Sequence, residues 1–227
     1  MKLLPVALNI ENKRCLVVGG GPVAERKVRA LLECGACVTV VAPQLCDGLA
    51  ALCEHIEHRA QRIDAGDCKI FKLVFACTDD RATNAAIAEE ARWFGIWCSV
   101  ADDAGASDFH TAATLRRGEV CVGVTTGGGS PALARHIKAR LEESIGPEYA
   151  ELLEIVSAQR SQLKESVEHQ SERAGIWRAI LNSDALPLLR QGNRVAAEWL
   201  VAQILQAPPS REQTAPGERT AVSVVRF

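Results

Sequence analysis

The chain has 227 residues, 48% of them hydrophobic and 24% charged, with a formal net charge of −2. Those proportions fit a globular chain long enough to bury a sizeable core in one or two domains. They leave no basic excess for a nucleic-acid surface or an anionic membrane. No apolar run approaches the roughly eighteen residues that span a bilayer. The opening Met1-Lys2-Leu3-Leu4-Pro5-Val6-Ala7-Leu8 is interrupted too soon, by Asn9 and Glu11, to read as a signal peptide. Nine cysteines, an odd number lying mostly inside apolar segments (Cys15, Cys77, Cys98, Cys121), fit a reducing compartment better than a disulfide framework. The expectation is a cytoplasmic protein with no membrane and no nucleic-acid partner.

The first element in the chain is an apolar strand, Arg14 to Val18, that runs into Gly19-Gly20-Gly21-Pro22. A helical pattern follows, with Ala24, Val28, Leu31 and Leu32 on one face. Strand, glycines and helix in that order form the dinucleotide-binding layout. Gly19 allows the tight turn, Gly21 lets backbone approach a pyrophosphate, and the small Ala24 permits close packing of helix on strand. Phosphates then meet the unpaired amides and positive dipole end of the helix.

Cys37 to Ala42 reads as a second buried strand stopped by Pro43, Ile56 to Ile63 holds a shorter one, and Lys72 to Thr78 is another. Asn84 to Trp93 is helical and Ile96 to Val100 returns to strand. Strands alternating with helices imply right-handed crossovers and a parallel sheet over about the first 110 residues. Cys34 and Cys37 form a lone C-x-x-C read as packing. Cys53, His55 and His58 lack the second ligand pair that makes a zinc spacing persuasive, so no metal site is expected. After the second strand, where an acid usually binds the adenosine ribose, the chain has Ala42-Pro43-Gln44. That leaves NAD against NADP underdetermined, with the absence of an arginine cluster leaning towards NAD. Gln44 is either a ribose ligand or a solvated turn residue.

Asp102 follows the strand ending at Val100, at the carboxyl edge of the expected sheet, where ligands bind in open α/β folds. A carboxylate there is placed to take a proton as a hydride leaves a substrate. The plain alternative makes Asp102, Asp103 and Asp108 turn residues. His110 is a second acid–base or substrate-binding candidate, and Asp79-Asp80 reads as a helix cap. Arg117 to Thr126 looks like one further strand, after which Gly127-Gly128-Gly129-Ser130-Pro131 opens a helix with Leu133, Ile137 and Leu141 as its buried stripe. That glycine run is either a second anion cradle or architecture. Arg135, Lys138 and Arg140, with Arg116 and Arg117, either bind an acidic ligand or form a solvated face. Residues 148–206 are helical in pattern, with Leu152, Leu153, Ile155 and Val156 opening one helix and Val195, Trp199, Leu200 and Ile204 in another.

Taken together, Val17 to Lys27, Ala76-Cys77-Thr78-Asp79-Asp80, Asp102-Asp103 with Asp108-Phe109, and Thr125 to Arg135 closely resemble the precorrin-2 dehydrogenase and sirohydrochlorin ferrochelatase family. This family also forms the N-terminal part of siroheme synthase. The resemblance is continuous over about residues 1–145. It implies an α/β fold: an NAD-binding, Rossmann-type parallel sheet over 1–111, a dimerisation segment over 112–146 and an all-helical C-terminal domain over 147–206. The tail, 207–227, has no counterpart and is expected to be disordered. The implied activity is NAD-dependent oxidation of precorrin-2 to sirohydrochlorin by a homodimer, sometimes followed by ferrous insertion. By position, Pro22 and Val23 match phosphate-loop contacts, Pro43 and Gln44 the contacts after the second strand, and Asp102 the catalytic aspartate. Thr126 stands where some relatives carry a phosphorylatable serine. Thr126, His110 and Arg135 are the candidate substrate-binding residues. His110-Thr111-Ala112 departs from the proline and bulky apolar residues common in relatives, so the substrate-facing wall differs. Two other readings stay open: a dehydrogenase of another acidic small molecule, and an NAD-binding regulatory or assembly protein without turnover.

Overall fold

The computed structural model describes residues 2–167 and 169–206, so the tail expectation for 207–227 lies outside the described residues. The chain divides into two compact units. One is Met1–Ala112 with the loop Thr125–Pro131, and the other is Ala113–Val124 with the chain from Ala132 onward. The sequence reading instead placed one boundary at 111 and kept 112–146 as a segment of its own.

The first unit is built on five parallel strands in the order β3-β2-β1-β4-β5, namely Glu57–Arg59, Cys37–Val41, Arg14–Val18, Leu73–Ala76 and Trp97–Val100. β1 and β4 are neighbours, yet the chain travels from β1 to β2 on one side and returns to β4 on the other. That reversal opens a crevice at their carboxyl ends. The apolar runs that gave no alternation are buried on both faces, as a covered parallel sheet requires. On one face Cys15, Val17, Val38, Val40 and Phe75 pack with Ala24, Val28 and Leu31 of α1 (Pro22–Glu33). A short helix, α2 (Asp47–Ala50), adds Leu49 to this core. On the other face Leu16, Val18, Val41, Val74 and Ala76 pack with Ile87, Ala88 and Ala91 of α3 (Arg81–Trp93).

β5 is an edge strand, and its outward polar groups are satisfied by the segment that follows it. The Cys98 amide donates to Asp108 Oδ2 at 2.9 Å, and the Asp108 amide donates back to the Cys98 carbonyl at 2.8 Å. The Val100 amide donates to Ser107 Oγ at 2.9 Å. Residues 103–108 thereby stand in for a sixth strand and close the edge to further pairing.

The second unit differs from its sequence reading in two ways. Instead of one further strand over 117–126 there is an antiparallel hairpin, β6 (Ala113–Arg117) and β7 (Val120–Val124), turning at Gly118 with φ 54°. Ala113-Thr114-Leu115 carries too weak an apolar signal to announce the first strand, although Leu115 is fully buried. The second difference is in α4 (Pro131–Ser144): its expected buried stripe is not buried in the single chain, with Leu133 50% and Ile137 38% exposed, and Ala134 is its buried residue. The remaining helices are α5 (Glu148–Ser166), α6 (Gln170–Leu181), α7 (Ala185–Arg190) and α8 (Arg194–Gln206). They enclose Leu152, Ile155, Leu163, Ile176, Ile180, Ala185, Leu189, Ala197 and Val201. α8 is apolar nearly all round, so its sequence does not choose a face. Ala197 and Val201 point inwards, while Val195 and Trp199 are exposed.

Candidate functional site

The three glycines after β1 do different work. Gly19 has φ +124°, and a Cβ there would lie 2.4 Å from the Cys77 carbonyl oxygen. This is the tight approach of turn to β4 expected of the first glycine. Gly20 is more constrained still, since its Cβ would fall 1.8 Å from the Gln44 carbonyl oxygen. Its own carbonyl accepts the Cys46 amide at 2.8 Å, which ties the turn to the loop after β2. The sequence reading gave Gly20 no role. At Gly21 the situation reverses, because a Cβ would meet nothing within 4 Å.

That open space lies at the amino end of α1. Gly21 is the N-cap residue, no side chain caps the helix, and Pro22 brings no amide of its own. The amides of the first turn are therefore presented to whatever enters, in the positive end of the helix dipole. Along the same sheet edge Pro43 and Gln44 are exposed after β2. Here the backbone is held from behind, with His58 Nε2 3.0 Å from the Ala42 carbonyl oxygen. Nothing in the sequence signalled this role of His58. The guanidinium nearest in register, Arg59 opposite Val41, is committed to Glu57 at 2.8 Å and Asp67 at 3.6 Å.

The acidic loop after β5 sorts into three roles. Asp103 Oδ1 accepts the amides of Gly105 and Ala106, each at 3.0 Å, and holds the turn. Asp108 closes the edge of β5, as described above. Asp102 is exposed and, among the described residues, its carboxylate has no hydrogen-bond partner. Its backbone has φ 61°, one of two non-glycine residues in the left-handed region, a conformation that aspartate and asparagine tolerate best. The acid at Asp80 caps α3 through the amides of Ala82 and Thr83, the role read for it from sequence.

Beside this loop lies the second glycine run, since a Cβ on Gly128 would meet Ala104 Cβ at 3.4 Å. Thr126 folds that run: its Oγ1 accepts the Ser130 amide at 3.0 Å and donates to the Ser130 carbonyl at 3.1 Å. Below it, Cys77 ends the buried path of β4. Burial pushes its thiol up to about 11; the Lys27 charge lowers it and the Asp102 charge raises it, so both groups lie within electrostatic reach of one sulfur. Phe109 stacks edge-on against Phe75 at 5.2 Å, and His110 Nε2 is shut off from solvent with no hydrogen-bond partner. Of the basic residues on α4, Lys138 and Arg140 pair with Glu142 and Glu143 on the same helix, whereas Arg135 is exposed in the second unit. Among the described residues, no group of three or more His, Cys, Asp or Glu is placed to hold a metal ion.

The fold and this edge define a nucleotide-binding α/β protein carrying an appended helical unit. Residues 6–113 match the putative NAD(P)-binding family, and residues 148–205 match the sirohaem synthase dimerisation region. The second match falls on the stretch read as the helical domain rather than on 112–146. Siroheme synthase of Methylococcus capsulatus is 36% identical over 219 residues, covering 96% of this chain and 46% of that protein. Siroheme synthase of Chromobacterium violaceum is 38% identical, covering 87% of this chain and 42% of that protein. The chain thus spans about half the length of the curated relatives it matches. In structure, the chain is similar to SirC, precorrin-2 dehydrogenase, with TM-score 0.68 at 20% identity, covering 90% of this chain and 99% of that one. The chain is thus similar to one part of siroheme synthases, the part that carries the putative NAD(P)-binding family and the dimerisation region.

Proposed function

We propose that this chain oxidises precorrin-2 to sirohydrochlorin with NAD, the dehydrogenation step of siroheme biosynthesis. The observation that carries the reading is Asp102, an exposed carboxylate with no hydrogen-bond partner among the described residues, on the same sheet edge as an open, uncapped helix start at Gly21. Gly19 and Gly20 hold the turn, Gly21, Pro22 and Val23 receive the pyrophosphate, and Pro43 and Gln44 flank the ribose. With no arginine free at the end of β2, the 2′-hydroxyl of NAD suits this edge better than a 2′-phosphate.

The reaction removes two hydrogens from the substrate, one as hydride and one as a proton. Bound NAD supplies the hydride acceptor. Asp102 takes the proton on its carboxylate, and its exposure lets it pass that proton to water. If ferrous ion is the second substrate, the same carboxylate receives the pyrrole N–H protons that metal insertion displaces. His110 and Thr126 in the first unit, and Arg135 in the second, are each candidates for substrate contact by their positions in the sequence. The match to a dimerisation region supports a homodimer, for which the exposed Leu133, Ile137 and Trp199 provide apolar surface; a monomeric mass at micromolar concentration would contradict it. No helix among the described residues is long and apolar enough to cross a membrane, which agrees with a cytoplasmic site of action.

The test is to incubate the purified chain with precorrin-2, NAD and ferrous ion and to follow sirohydrochlorin and siroheme absorbance separately. Sirohydrochlorin formation with matching NADH is expected. Tight NAD binding with no turnover would favour the regulatory reading, and NADH formation only from another acidic substrate would replace precorrin-2.

A further inference from the structure

One half-buried cation in the first unit has no counter-ion. Lys27 projects from the second turn of α1, donates from Nζ to Thr111 Oγ1, and sets its ammonium 5.8 Å from the centroid of the Phe75 ring. An ammonium carries three donors. Only the one to Thr111 has an acceptor among the described residues, and no carboxylate stands within ion-pair distance. Two other cations of this unit are paired: Arg29 with Glu25, and Arg59 with Glu57 and Asp67. Burial holds the Lys27 ammonium below the usual lysine range, and among the described residues no carboxylate pairs with it to offset that cost.

A second orphan lies next to Thr111 in sequence: His110 has its Nε2 closed off from solvent and unpartnered. Phe109, one residue earlier, packs edge-on against the same Phe75 ring that backs the ammonium. Two unused ammonium donors, held against an aromatic backing, suit an anion with two acceptor atoms.

We propose that Lys27, positioned by Thr111 and backed by Phe75, binds a peripheral carboxylate of the tetrapyrrole. The inference rests on the dehydrogenase reading for the identity of the ligand. A cofactor phosphate is the poorer match. The pyrophosphate position is at Gly21 to Val23, and Lys27 lies about 7 Å farther along the helix axis, at 1.5 Å per residue. Its ammonium is engaged by Thr111.

The test titrates the full chain, with and without NAD, with uroporphyrin, an octacarboxylate porphyrin that cannot be dehydrogenated by this route, following Soret absorbance. Lys27→Met is expected to weaken uroporphyrin binding about 10-fold or more, the size of one lost charge-assisted hydrogen bond. Lys27→Arg recovers most of it, and Thr111→Val weakens it by a smaller factor. The octamethyl ester of the porphyrin binds wild type and Lys27→Met alike, and NAD affinity is unchanged in all three variants. Equal uroporphyrin affinity in a folded Lys27→Met, alongside wild-type sirohydrochlorin formation, would overturn this assignment alone. A fall in NAD affinity instead would make Lys27 a cofactor phosphate ligand and overturn it as well. A wild-type chain that binds NAD but no octacarboxylate would overturn the dehydrogenase reading together with this one.

Discussion

The two loops that form the working edge of the first unit are made by opposite means. Between β1 and α1 the chain removes side chains: Gly19 and Gly20 sit where a Cβ would strike backbone, and Gly21 leaves open space. After β5 the chain uses side chains instead, tying Asp103, Ser107 and Asp108 back to main-chain groups. What remains unengaged differs accordingly. The first loop leaves bare amides suited to an anion, and the second leaves one carboxylate, Asp102, suited to a proton. A site for removing hydride and proton needs one of each, and the comparison shows that neither loop alone would suffice.

Substitutions at adjacent glycines break the comparison most sharply. Gly20→Val places side-chain atoms inside the Gln44 carbonyl and is expected to cost more than about 3 kcal/mol, leaving little folded protein at physiological temperature. Gly21→Asp meets no protein atom, so it is expected to keep the wild-type melting temperature while losing NAD binding, because the carboxylate occupies and charges the phosphate position. Calorimetric titration with NAD beside thermal unfolding separates the two, and unchanged NAD affinity in Gly21→Asp would remove the cofactor assignment.

The acidic loop yields a smaller effect. Asp108→Ala strands the buried Cys98 amide and is expected to cost about 1–2 kcal/mol in chemical denaturation. Its residual activity per folded molecule should stay near wild type. Loss of activity without loss of stability at Asp108 would show that the roles of the loop acids are misassigned.

The smallest expected effect lies in the second unit. Glu148, at the start of α5, is buried and pairs with Arg190 of α7 at 2.8 Å. Burial raises its carboxyl pKa, but the Arg190 bond and the amides of Glu148 and Gly146 outweigh that and hold it below the usual glutamate range. A depressed acid stabilises the fold above its unfolded pKa, and the contribution disappears as pH falls through the folded value. Glu148→Gln should therefore melt below wild type near neutral pH, by about 1 kcal/mol, and the two should converge below about pH 4. Parallel melting curves at all pH values would contradict the ion pair.

The glycine loop was legible because its chemistry is local: a strand, three glycines and a helix stripe at Ala24, Val28 and Leu31 fix both conformation and packing. The same holds for β4 and β5, whose apolar runs admit no other placement in a covered sheet. Other features were less visible, and each depends on groups distant in sequence. Gly20 owes its constraint to Gln44, and the Lys27–Thr111 bond joins residues 84 apart. The hairpin strand at Ala113 to Arg117 has only Leu115 inside, too little to show a period of two. On α4 the apolar pattern marks surface as well as core, so Leu133 and Ile137 read as buried although a single chain leaves them exposed. Asp102 could be named from its place after a strand, but only the hydrogen bonds of Asp103 and Asp108 distinguish it from its neighbours.

The most direct measurement compares wild type with Asp102→Asn for NAD affinity and for sirohydrochlorin formation in the same preparation. Asparagine keeps the shape and tolerates the left-handed backbone at φ 61°, so the loop and the open helix start should remain intact. The account predicts unchanged NAD binding with precorrin-2 oxidation slowed by about 10²-fold or more, the scale of a lost general base. Normal sirohydrochlorin formation by Asp102→Asn would contradict it, making Asp102 a turn residue and passing the proton to another group, with His110 the next to test.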